Sequence, residues 1–316
     1  MTFHLVDPNR RTPRGPSDLL SREIPPKIHD LHAAAPDFQP GPKLATAINA
    51  ALALGAPLLL TGEPGTGKTQ VAYYLAWYFG VESTLPADQK QQPFALQVKS
   101  TSAARDLLYT FDTVAYFHGS HERTQGLEPR AFRAKGPLWR ALEECEQRRP
   151  AIVLIDEIDK APRDFPNDLL HELDQFAFTV PETKESYRRP PGVQPPIVII
   201  TSNSEKRLPP AFLRRCVFHY IEFDEALLRA AVAARRAGGG FKRIDEPTEK
   251  AAIKAFVALR QTAKLQKLPA TGELLAWLTA LDAHGVQATD LENIPTRRLP
   301  LLPILIKDRD DLKLLA

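Results

Sequence analysis

Residues 58–69 read Leu-Leu-Leu-Thr-Gly-Glu-Pro-Gly-Thr-Gly-Lys-Thr. A short apolar run breaks there into a complete G-x-x-x-x-G-K-[ST] loop, and such a loop works only between a buried strand and a helix. Leu58 to Leu60 supply the strand, and Val71 to Phe79, free of glycine and proline, supply the helix. The segment Gly62, Glu63, Pro64, Gly65, Thr66, Gly67 is expected to turn backbone N–H groups inward as a nest for a β-phosphate. The following helix N-terminus adds a favourable dipole. Lys68 is placed to reach β- and γ-phosphates, and the Thr69 hydroxyl to ligate Mg²⁺.

A second constellation follows about ninety residues on. The apolar run Ile152 to Ile155 ends in Asp156-Glu157. Acids at the end of a buried strand suit a phosphate site: Asp156 would hold Mg²⁺ through water, and Glu157 would orient and polarise an attacking water. A further run, Ile197 to Ile200, ends in Thr201-Ser202-Asn203. Polar residues at carboxyl strand ends face the crevice where open α/β sheets bind ligands, so Asn203 is expected to contact a γ-phosphate or its water. Arg214-Arg215 closes the next block, at a helix end, and two arginines there suit transition-state charge on a neighbouring subunit's nucleotide.

The chain between these blocks alternates apolar strands with helical patterns, which argues for a parallel α/β sheet. Helices are expected at Lys43–Leu54, Pro137–Gln147 and Asn167–Phe176, a strand at Phe94–Val98, and a hairpin from Phe176 through the turn at 181–185. After Phe223 only helical patterns remain: Glu225–Ala237, Thr248–Lys264, Glu273–His284 and a C-terminal segment. The expected organisation is a proline-rich extension over 1–42, a nucleotide-binding core over 43–223 and a small all-helical domain over 224–316.

Composition narrows the function. The formal net charge of +3 gives no argument for nucleic acid, and the arginine pairs are dispersed. Cys145 and Cys216 are the only cysteines and form no metal spacing, which suggests a reducing compartment. No apolar run reaches membrane-span length, and no signal pattern opens the chain, so a soluble, cytoplasmic protein is expected. The segment carrying His118 and His121-Glu122 reads as a solvated loop without metal. The aromatic cluster Tyr73, Tyr74, Trp77, Tyr78, Phe79 reads as packing between helix and sheet.

Taken in order, these blocks resemble the AAA+ ATPases and, more narrowly, the MoxR group, over roughly residues 43–285. The carriers are residues 58–69, Asp-Leu-Leu-Tyr (106–109), Gly-Pro-Leu-Trp-Arg-Ala (136–141), Leu-Ile-Asp-Glu-Ile-Asp-Lys-Ala (154–161), Ile-Ile-Thr-Ser-Asn (199–203) and Leu-Pro-Pro-Ala-Phe-Leu-Arg-Arg-Cys (208–216). The resemblance implies a three-layer P-loop core with a helical lid, and a ring, usually a hexamer, with ATP and Mg²⁺ between subunits. Lys68 and Thr69 match Walker A, Asp156 and Glu157 match Walker B, and Asn203 matches sensor 1. Arg215 matches the arginine finger, with Arg214 second. By family position, residues 100–135 include loops that face the ring pore. MoxR-like proteins typically act on a protein client with a partner bearing a von Willebrand A domain. Relatives often carry an arginine near the start of a lid helix; here Gly272 stands at that position, and no sensor 2 arginine is assigned. A nucleic-acid motor of the same superfamily and a slowly hydrolysing ATP switch are the alternatives.

Overall fold

The structure is a computed structural model that describes residues 30–81, 92–121, 128–203, 208–261, 265–292 and 294–315. Most of the expected N-terminal extension lies outside these residues. The strands are β1 (Leu58–Gly62), β2 (Phe94–Gln97), β3 (Tyr109–Phe111), β4 (Arg133–Lys135), β5 (Ile152–Asp156), β6 (Ala177–Val180), β7 (Glu185–Arg188), β8 (Ile197–Thr201) and β9 (Val217–Ile221). The helices are α1 (Pro42–Leu54), α2 (Lys68–Tyr78), α3 (Thr113–His121), α4 (Pro137–Glu146), α5 (Phe165–Asp168), α6 (Leu170–Gln175), α7 (Pro210–Leu213), α8 (Glu225–Ala237), α9 (Glu246–Gln261), α10 (Thr271–His284) and α11 (Arg309–Leu315).

By contacts the chain forms two compact units. One holds Pro40–Glu63 and Lys68–Glu222. Its centre is a five-stranded sheet of order β2-β5-β8-β1-β9, in which every pairing is parallel. β1 and β5 are buried along their whole length, which explains their unbroken apolar runs: helices cover both faces and no residue points at water. The unit is therefore a three-layer α/β core. Short antiparallel pairs, β3 with β4 and β6 with β7, are added to it. The second pair is the expected hairpin.

Local sequence explains most element ends. α1 starts with proline in its first turn and stops at Gly55, whose φ of 61° is left-handed. It buries Leu44, Ile48 and Ala51, one stripe at helical spacing. The expected helix over Asn167–Phe176 is instead two pieces, α5 and α6, separated by the fully buried Leu169, whose backbone stays right-handed (φ −89°, ψ −8°). β9 was not expected at all. It is the described edge of the sheet, alternates between half-buried and exposed residues, and carries His219, so it lacks the apolar run that marks the central strands.

Two further expectations are corrected. The backbone through His118 is helical up to His121, not a loop, although no group of metal-ligating residues occurs among the described residues. The aromatics after the glycine loop do not fill the core. α2 buries Val71, Ala72, Leu75 and Ala76, the aliphatic stripe facing the sheet, and turns Trp77, Tyr78 and Phe79 outward at 40 %, 61 % and 50 % exposure. Tyr73 and Tyr74 are half-buried, and the rings of Tyr74, Trp77, Tyr78 and Phe79 meet one another in tilted and edge-on pairs.

The other unit holds Phe223–Ala316, Pro64–Gly67 and the described residues up to Gln39. It is helical, with its own core of Val232, Phe256, Leu259, Leu274, Trp277 and Leu281 among others. Asp224 caps α8 by accepting from the N–H groups of Ala226 and Leu227. α10 begins with the Ala270 N–H donating to Glu273 Oε2 at 3.0 Å and ends at Gly285 in the left-handed region. Within this unit the Gly272 N–H donates to Gly65 O at 3.0 Å, and a Cβ at 272 would lie 3.2 Å from that carbonyl. Glycine at 272 thus fits a close backbone approach. Among the described residues no helix is long and apolar enough to cross a membrane.

Trp277 is fully buried, and its indole N–H donates to Pro300 O at 2.8 Å. Replacing it with alanine is expected to cost about 3–5 kcal/mol, read as a lower denaturation midpoint of the helical unit in chemical unfolding.

Candidate functional site

Because the sheet is parallel, the carboxyl ends of its strands lie together, and β8 sits between β1 and β5. Register places Leu60 beside Thr201, Ile200 beside Ile155, and Gln97 beside Asp156. Three polar strand ends, Gln97, Asp156 and Thr201, therefore meet at one edge of the sheet.

The loop after β1 needs its glycines. Gly62 has φ 144°, and a Cβ there would come within 2.7 Å of Ile221 O on β9. Any side chain would push β1 and β9 apart. Lys68 opens α2 and is 7 % exposed. Its Nζ donates to Gly62 O and Glu63 O, each at 2.9 Å. Burial lowers its pKa below the usual lysine range, while Asp159, Asp156, Glu157 and Glu63 pull it back toward charge. An ammonium placed in this way is set to receive an anion. Two loop carbonyls hold it in place.

Asp156, the last residue of β5, is almost fully buried and accepts two hydroxyl hydrogen bonds at Oδ1. One comes from Thr69 at 2.8 Å, the other from Thr201 at 2.6 Å. Thr201 also accepts the Glu157 backbone N–H at 2.8 Å. Glu157 has φ 58° and ψ 50°, left-handed geometry that costs a non-glycine residue about 1–2 kcal/mol. The Thr201 bond holds it there. The Glu157 carboxylate accepts from Gln97 Nε2 at 2.9 Å and from Lys160 Nζ. That last bond raises the pKa of Lys160.

Asp159 organises the neighbouring loop. Its Oδ1 accepts from Ser202 Oγ at 3.2 Å and from the Asn203 backbone N–H at 3.0 Å. Arg214 and Arg215 follow α7 and are both exposed. Arg215 bonds Asp174 and Ala211, not the glycine loop or the Asp156-Glu157 pair.

The structure thus gathers Lys68, Thr69, Asp156 and Glu157 at one edge, with Asn203 on the loop that leaves β8. It adds Gln97, Asp159, Lys160 and Thr201, which the sequence reading did not nominate. Thr201 and Asp159 stood inside motifs already quoted. Gln97 had only a faint signal, a polar residue closing an apolar strand.

The residues fit a nucleotide phosphate with Mg²⁺. Thr69 and Asp156 offer hard oxygen donors 2.8 Å apart, suited to a magnesium ion that keeps most of its waters. Lys68 is a buried cation beside a glycine cradle that no side chain can fill. Sheet order, glycine loop and paired acids together define a P-loop nucleotide-hydrolase core. The model of the AAA domain, dynein-related subfamily, matches residues 57–216, just over half of the chain, and the chain belongs to that family. AAA domains bind ATP, in general hydrolyse it, and generally assemble into rings. A comparison with curated proteins gives no match.

Thr201→Val keeps the shape and removes the hydroxyl, leaving a buried Asp156 oxygen short of a donor and the Glu157 N–H short of an acceptor. A loss of about 1–3 kcal/mol in unfolding free energy is expected, with Thr201→Ser near wild type by the same titration.

Proposed function

We propose that this chain is a MoxR-like AAA+ ATPase whose ATP hydrolysis, at the contacts between subunits of a ring, drives the remodelling or activation of a protein partner. The observation that carries the hydrolytic part is the shared edge of β5 and β8. Asp156 and Thr69 stand together there, hydrogen-bonded at 2.8 Å, and Glu157 is held one residue further by Gln97, Lys160 and Thr201.

In this reading the backbone of Gly62–Gly67 and the Lys68 ammonium bind the phosphates, and Lys68 gains the anion its burial favours. Thr69 and Asp156 would hold Mg²⁺, which would supply charge neutralisation at the phosphates. Glu157 accepts a hydrogen bond from water and orients it, with the proton received at a carboxylate oxygen. Asn203 fixes the far side of that water or the γ-phosphate. Arg215 serves the site of the adjacent subunit; its outward position, away from its own glycine loop, supports that assignment. A trans arginine requires a head-to-tail contact between subunits, hence a ring or an open helix.

The MoxR-like reading rests on the run of motifs from 58–69 to 208–216, and a protein client with a von Willebrand A partner comes with it. A slowly hydrolysing switch is the second reading, favoured by glycine at 272. Turnover separates the two.

ATP hydrolysis per subunit, measured with Mg²⁺ over a wide range of protein concentration, is expected to climb and then level. Arg215→Ala is expected to remain low throughout, and a flat, appreciable rate for the wild type would refute the shared site. Glu157→Gln is expected to bind nucleotide normally, by fluorescence titration with a labelled analogue, while turnover falls by about 10²–10⁴-fold.

A further inference from the structure

Arg215 is held on a prepared mount. It lies between Phe212, 1 % exposed, and Cys216, whose thiol donates back to Phe212 O. Its Nε donates to Asp174 Oδ2 at 2.6 Å and its Nη1 to Ala211 O at 3.1 Å. Asp174 sits in α6 between two anchored core residues, Leu173 and Phe176, the second closing the helix in left-handed geometry. Neither end of the ion pair belongs to a wandering segment. Arg214, next door, is exposed and makes no side-chain hydrogen bond among the described residues.

A guanidinium has five N–H donors in a fixed planar fork. Here the Nε–H and one Nη1–H are engaged within the subunit, and no bond among the described residues engages Nη2. A planar fork held along one side can recognise an oxyanion along the other. We propose that Asp174 is a positioning residue for ATP hydrolysis: by gripping Nε it aims the remaining edge of Arg215 at the phosphates of the adjacent subunit's nucleotide. The inference rests on the reading of Arg215 as a trans-acting arginine. It also assigns that role to Arg215 over Arg214, because only one of the two is oriented.

An exposed ion pair of this kind adds little to fold stability. Its loss should appear in catalysis and leave the unfolding midpoint alone. A misaimed arginine can cost on the order of 10–100-fold in rate.

The test uses the full chain at saturating protein concentration, with kcat and KM for ATP and thermal unfolding measured on each variant. Asp174→Ala is expected to lower kcat by about 10–100-fold, with KM and unfolding midpoint unchanged and with partial recovery in Asp174→Glu. Added to Arg215→Ala, it should lower the rate no further. Mixing then locates the effect. Lys68→Ala subunits, which cannot hydrolyse but still present Arg215, should restore activity to Arg215→Ala subunits. Placing Asp174→Ala in the Lys68→Ala subunit should abolish that rescue, and placing it in the other subunit should not. If Arg215→Ala is inactive while Asp174→Ala retains wild-type kcat, the positioning role is overturned and the arginine reading stands. If Arg215→Ala hydrolyses normally, both are overturned.

Discussion

The hydroxyl of Thr201 donates to Asp156 on one side and accepts the Glu157 backbone N–H on the other. Through it, β8 fixes both acids at the end of β5. The hydroxyl reaches that place because of apolar packing, not polar attraction. Ile197 to Ile200 pair in register with β5, and Ile199 and Ile200 with β1, in the covered centre of the sheet. A slip of one residue would turn every side chain of β8 to the opposite face and remove the hydroxyl from the acids. The apolar residues of β5 and β8 thus set the chemistry at the strand ends although they hold no polar side chains.

Charge is handled by the same economy of position. Lys68 is almost enclosed, and Asp159, Asp156, Glu157 and Glu63 surround it electrostatically. Its burial weakens the ammonium while the carboxylates sustain it, and two loop carbonyls accept its protons. Glu157 has a cation and an amide of its own in Lys160 and Gln97. These partners place the carboxylate at the strand edge without committing it to Asp156.

Much of the core could be read from the chain, because the glycine loop and the two acids announce themselves within a few residues and each follows a buried apolar run. α8 was legible to the residue, since Asp224 before it and Gly238 after it are ordinary helix punctuation. What escaped was set by neighbours distant in sequence. Gln97 matters only because β2 lies beside β5, and β9 only because β1 accepts it as a parallel partner. The aromatics of α2 misled for a related reason: hydrophobicity says that a ring prefers cover, but the stripe of small residues had already taken the face against the sheet.

Glu157 closes β5 in a conformation that only glycine adopts without strain. A chain selected for persistence alone would place glycine at this corner and keep the strand end relaxed. The carboxylate is here in spite of its backbone, and the neighbouring hydroxyl is what keeps it from unwinding. The most chemically exacting residue of the molecule is therefore also a local weak point, where fold stability is given up so that an acid can stand at the mouth of the sheet.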